Sequence, residues 1–214
     1  MTALEKFRAA MHELPLVAIL RGLKPAEAPA IGDVLFEAGF RLIEVPLNSP
    51  QPLDSIEFLR QRLPEAVVGA GTVLAAAEVR SVAEAGGELI VAPNFEREVV
   101  VTTVRLGMVS LPGIMTPTEA FSALAAGAHG LKLFPAELAS PAVVKAMLAV
   151  LPKGTAMIPV GGIAANNLAA WHDGGAAGFG LGSSLYKPGD DAATVRAKAA
   201  VIVAAYKNIG SGKG

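Results

Sequence analysis

The chain has 214 residues, of which 52% are hydrophobic and only 17% charged, so it holds material for one large core. Its formal net charge of −1 is spread without a long run of one sign, which excludes a dedicated basic surface for nucleic acid.

The first stretch, MTALEKFRAAMHEL, places charges at helical spacing and has no signal-peptide core, so it predicts an opening helix. Short apolar runs then recur along the whole chain. They are LVAILRG from Leu16, LIEVPLNS from Leu42, AVVGAGTVL from Ala66 and LIVAPN from Leu89. MVSLPGIM from Met108, GLKLFPAE from Gly130, AMIPVGGI from Ala156 and GFGLGSSL from Gly178 follow. Rich in branched residues and free of alternation, such runs predict strands buried on both faces, as in a parallel sheet. Each is followed by a segment with helical spacing, such as PAEAPAIGDVLFEAG or TPTEAFSALAAGA, and many of these close on glycine: Gly39, Gly86, Gly107, Gly127 and Gly174.

Eight such copies predict an α/β fold, a (β/α)8 TIM barrel with an additional N-terminal helix covering its bottom or side, in a single domain over residues 1–214. A doubly wound open sheet is the competing architecture, but no Gly-x-Gly-x-x-Gly follows the first run. The last residues, 210–214, read as a flexible tail. Pro46, Pro93, Pro112, Pro135 and Pro159 all fall late in their runs, where strand pairing can end. Those ends are the rim where barrels keep their chemistry.

The absence of cysteine excludes disulfides and thiolate chemistry, and His12, His129 and His172 lack metal-ligand spacing, so neither metal nor cofactor is expected. The least charged stretches are broken by Pro, Gly and Asn, so no membrane span is expected, and the protein reads as cytoplasmic.

The informative residues are the charges inside the runs: Arg21 ending the first, Glu44 in the second and Lys132 in the sixth. Lys132 alone among nine lysines is embedded in a strand. A structural Glu44–Lys132 ion pair is one reading, although buried pairs seldom add net stability. The chemical reading is sharper. Burial and a nearby arginine lower a lysine's pKa, so the neutral amine can attack a ketone and form a Schiff base. Breaking the carbon–carbon bond two atoms away then leaves an enamine, and a carboxylate such as Glu44 can shuttle the protons. Together these residues read as a class I aldolase.

Thr72, in GAGT, follows small residues that let a ligand approach; its hydroxyl could hold a carboxylate, or simply cap the next helix. Val160-Gly161-Gly162 ends the seventh run, and Gly180-Leu181-Gly182-Ser183-Ser184 the eighth. Glycine-rich ends at these two positions are where barrels bind phosphate through backbone N–H groups.

Taken together, AILRG with Arg21, IEVPLN with Glu44 and Asn48, GAGTV with Thr72, PN with Pro93, LKLFP with Lys132 and Phe134, and Gly161-Gly162 resemble the 2-keto-3-deoxy-6-phosphogluconate/6-phosphogalactonate aldolases. The match runs nearly end to end and in order. The resemblance implies a homotrimeric barrel that splits a phosphorylated keto-deoxy sugar acid into pyruvate and D-glyceraldehyde 3-phosphate, with no nucleic-acid or membrane partner. It implies Lys132 as the Schiff-base residue and Glu44 as general acid/base. It puts Arg21, Thr72 and Pro93 at the pyruvate end, Gly161, Gly162 and Ser183 at the phosphate end, and Phe134 and Gly182 among the substrate-binding residues.

The phosphogluconate branch usually has arginine at the place of Asn48 and threonine at that of Val160. Here VPLNSP and PVGG look like the phosphogalactonate branch. The two substrates are C4 epimers, and a changed hydroxyl partner is where discrimination arises. The resemblance therefore favours 2-dehydro-3-deoxy-6-phosphogalactonate, with the phosphogluconate epimer as the alternative. A non-catalytic phosphosugar-binding barrel would keep the glycine loops but gain nothing from burying Lys132 beside Glu44.

Overall fold

The computed structural model describes residues 1–209, and the tail expected at 210–214 lies outside the described residues. Every strand pairing is parallel, as the unbroken apolar runs predict. One sheet is formed by β1 (Leu16–Ile19), β2 (Leu42–Pro46), β3 (Val67–Gly71), β4 (Leu89–Val91), β5 (Val109–Leu111) and β9 (Phe179–Leu181), in the order β5-β4-β3-β2-β1-β9. A second joins β6 (Gly113–Ile114), β7 (Leu131–Leu133) and β8 (Met157–Pro159) in chain order. Each apolar run lands on a strand, and the fifth lands on two. Pro112 lacks an N–H to continue the ladder, so the run divides into β5 and β6 on either side of it.

Helices from α2 (Ala28–Glu37) to α9 (Ala192–Ile209) alternate with the strands. The opening helix α1 (Ala3–Glu13) starts on a capping box: Glu5 N–H donates to the Thr2 hydroxyl (3.2 Å), and Thr2 N–H donates to the Glu5 carboxylate (2.8 Å). The helix glycines behave as predicted except at α8 (Leu168–Asp173). There Gly174 keeps a right-handed conformation and the left-handed turn passes to Gly175 (φ +99°). Gly174 is small for another reason: a Cβ on it would stand 2.6 Å from the Pro141 carbonyl oxygen.

Successive strand residues serve two cores. Leu16 and Ala18 pack with the helices in one cluster; Val17 and Ile19 join Leu42, Val67, Leu89, Val109 and Ile158 on the opposite face of the sheets. Phe7 and Ala10 of α1 pack into that second cluster, so the opening helix covers it. Lys6 fastens α1 there by an ion pair to Glu88, which Arg60 also holds at 3.1 Å. Residues just past the C-terminal ends of β1, β7, β8 and β9, among them Arg21, Phe134, Gly161 and Gly182, line one cleft. No helix among the described residues is long and apolar enough to cross a membrane.

Candidate active site

Glu44 is the third residue of β2 and Lys132 the middle residue of β7, and both are buried, with 2% and 5% of their surface exposed. Sequence patterning makes these strands apolar, so the two charged groups enter a medium that penalises their ionised forms. Burial pushes the Glu44 carboxyl up to about 7, against the smaller opposing pull of Lys132 and Arg21. Burial likewise lowers the Lys132 ammonium; Glu44 works against that shift, and Arg21 adds to it. Glu44 Oε2 has no hydrogen-bond partner. A buried carboxylate oxygen left unpaired is costly, and its natural use is to accept a proton or hydroxyl from a bound molecule.

Space for that carboxylate comes from glycine. A Cβ on Gly71 would stand 2.0 Å from Glu44 Oε2, and one on Gly69 would stand 1.9 Å from the Leu89 carbonyl oxygen. The small residues of GAGT therefore admit protein atoms, where the sequence suggested close approach of a ligand. Thr72, the next residue, is half-buried and held at φ +58°. Its peptide lies in a left-handed conformation that costs a non-glycine residue on the order of 1 kcal/mol or more, a form of strain that concentrates at functional sites.

Lys132 Nζ stands 4.6 Å from the ring centroid of Phe134, two residues along. Phe134 in turn lines a cleft of about 290 Å³. That cleft gathers Arg21, Phe134, Val160, Gly161, Gly162, Gly182 and Ser183 from the predicted site residues. Lys132 and Glu44 are buried and do not form part of its wall. Thr72, Pro93 and Asn48 are outside the lining. Asn48 joins the site indirectly: its Oδ1 accepts a hydrogen bond from the Arg21 guanidinium (2.9 Å) and so aims that side chain.

The glycine-rich end is held rigidly. Asn167 Nδ2 donates to the Gly162 carbonyl (2.8 Å), its Oδ1 accepts from Ala164 N–H (3.0 Å), and Ser184 Oγ donates to the Ile163 carbonyl (2.7 Å). The loops after β8 and β9 are thus tied together beside the cleft. Sequence reading missed Asn167, together with Glu137, Tyr186 and Lys187 of the lining. Nothing in their spacing marked them, because each lies in a loop or short turn with no periodic pattern to break.

An amine that burial drives toward neutrality, a carboxyl titrating near 7 and a cleft ending in rigid glycine loops are the equipment of a lysine-dependent aldolase. Residues 7–197 match the family described as Aldolase: KDPG and KHG aldolase, and the chain belongs to that family of carbon–carbon lyases. Over 202 residues it is 48% identical to a probable 2-dehydro-3-deoxy-6-phosphogalactonate aldolase of Rhizobium meliloti (strain 1021), covering 94% of this chain and 95% of the relative. It is 46% identical over 196 residues to the 2-dehydro-3-deoxy-6-phosphogalactonate aldolase of Escherichia coli (strain K12), covering 91% and 96%. A solved structure described as native KDPGal is 46% identical and superposes with a TM-score of 0.91, over 93% of this chain and 97% of that one.

Proposed function

We propose that the protein cleaves 2-dehydro-3-deoxy-6-phosphogalactonate to pyruvate and D-glyceraldehyde 3-phosphate through a Schiff base on Lys132. The observation that carries this reading is the shared burial of Lys132 and Glu44, which drives the amine toward its neutral form and the carboxyl to about 7. Neutral Lys132 Nζ adds to the C2 ketone, a proton from solvent lets the hydroxyl formed there leave as water, and an iminium remains; its later hydrolysis returns that proton. The Glu44 carboxylate, directly or through a water, takes the proton of the C4 hydroxyl. The C3–C4 bond then breaks, its electrons passing to the iminium as an enamine, and the aldehyde departs. Glu44 returns its proton to C3, and water releases pyruvate from the lysine. Arg21, aimed by Asn48, receives the pyruvate carboxylate with Thr72 and Pro93 near it, and Phe134 packs against the reacting lysine. Gly161, Gly162, Gly182 and Ser183 receive the phosphate, and Val160 faces the C4 side of the chain.

The chain is read as one domain, a closed eight-stranded barrel that assembles as a homotrimer in the cytoplasm. Closure is supported by the fifth run, which serves both sheets, and by a parallel bridge between Val160 and Gly180. In that run Ser110 accepts from His129 N–H (3.0 Å) and Pro112 from Lys132 N–H (2.9 Å). Assembly is supported by large apolar side chains left on the surface, Leu138, Phe121 and Leu74 among them. Substrate choice rests on Asn48 and Val160 and on the names carried by two relatives at 48% and 46% identity. Pyruvate release from the two C4 epimers, followed with a coupled dehydrogenase, tests it: catalytic efficiency should be higher on the phosphogalactonate. Preference for the phosphogluconate epimer would move the protein to the other branch.

A further inference from the structure

Glu137 belongs to the 3-10 turn Ala136–Leu138, which the Ala136 N–H pins to the end of β8 by donating to the Val160 carbonyl (2.9 Å). Its carboxylate enters the cleft from the phosphate end. A Cβ on Gly161 would stand 2.0 Å from Glu137 Oε2, and one on Gly162 would stand 3.0 Å from its Cγ. The side chain therefore lies directly over the two glycines assigned to the phosphate. Gly161 and Gly162 are kept free of side chains by a carboxylate of the protein as well as by any ligand.

Nothing holds that carboxylate in place: among the described residues no group donates a hydrogen bond to it and no cation pairs with it. It can swing away without breaking a hydrogen bond or an ion pair. The other charged side chains of the cleft are Arg21 and Lys187, both cationic, so Glu137 alone there opposes an arriving anion.

We propose that Glu137 is an internal competitor for the substrate's phosphate. In the free protein its carboxylate covers the Gly161–Gly162 loop, and the phosphate must turn it out to reach the backbone there. This rests on the aldolase reading for the identity of the anion. Its effect is to weaken binding of every phosphorylated ligand, substrate and aldehyde product alike, while the charges that act on Lys132 are those of Glu44 and Arg21 and not of Glu137.

The test uses the full-length protein, with inorganic phosphate titrated by calorimetry at fixed ionic strength into the parent, Glu137→Gln and Glu137→Ala. Removing one like charge at contact range in a partly solvated cleft should tighten phosphate binding about five- to tenfold. KM for the phosphorylated substrate should fall by a similar factor, with kcat within about twofold of the parent. Capture of pyruvate on Lys132 by borohydride should be unchanged, because pyruvate carries no phosphate. Phosphate binding that is unaltered or weaker in both variants overturns the proposal. Failure of pyruvate capture in the parent would instead overturn the aldolase reading, and the phosphate titration would still decide the role of Glu137 because it needs no turnover.

Discussion

Replacing Glu44 by glutamine should make the protein less active and more stable. The residue is buried against a strand, and its carboxyl titrates at about 7 in the fold against an ordinary 4.5. A raised folded-state pKa means that stability is fully present below about pH 4.5 and is lost as the pH climbs to about 7. At ~1.4 kcal/mol per pH unit, that interval amounts to roughly 3 kcal/mol of stability lost at alkaline pH. Glutamine has nearly the same shape and no charge to desolvate. Urea unfolding of parent and variant at pH 5 and pH 8.5 measures the difference, provided m is unchanged. The advantage of the variant should be roughly 2 to 3 kcal/mol larger at pH 8.5 than at pH 5. Turnover should fall about 100- to 10,000-fold, the usual contribution of a positioned proton-transfer group. An effect on stability equal at the two pH values would refute the claim that burial penalises this carboxylate, and with it the reason for the raised pKa.

The same group should set the acid limb of the activity profile: kcat/KM should rise with pH through about 7, because Glu44 must be ionised to accept the C4 proton, and a limb near 4.5 would contradict this. Thr72→Gly relieves a left-handed residue, so its melting temperature should rise, by the equivalent of about 1 kcal/mol, while the loss of the hydroxyl raises KM for pyruvate. A fall in melting temperature would show that the Thr72 side chain stabilises the turn. Val160→Thr adds a hydroxyl beside the cleft with little change of shape, and a hydrogen bond of about 0.5 to 1.5 kcal/mol should shift the epimer preference several-fold toward the phosphogluconate. Asn48→Arg removes the acceptor that aims Arg21 and sets two guanidinium groups side by side, so it should push the same way while also raising KM. If neither change moves the ratio of efficiencies, substrate choice lies elsewhere.

The strands were legible because a strand buried on both faces must be apolar throughout, and that leaves a continuous run. Lys132 and Glu44 stood out for the same reason, as charges where the physics of burial forbids them without a partner or a purpose. Whether the sheets close is beyond the sequence pattern, because periodicity counts strands and says nothing of which edges meet. The split of the fifth run at Pro112 followed a rule visible in the sequence, but its position in the sheet order did not. The small residues of GAGT suggest room for a ligand, but a Cβ on Gly71 would meet Glu44, so the close approach there is by the protein's own carboxylate. Glu137 and Asn167 were invisible for the opposite reason: polar residues in turns break no pattern, and only the folded chain brings them to the glycine loops.

The central claim is that Lys132 is the amine that carries the substrate. Incubating the protein with pyruvate and sodium borohydride, then digesting it and weighing the peptides, tests this most directly. The account predicts one reduced pyruvyl adduct per chain, carried by the peptide that contains Lys132, and none in Lys132→Ala. An adduct on another lysine, or no adduct in a folded protein at neutral pH, would contradict it.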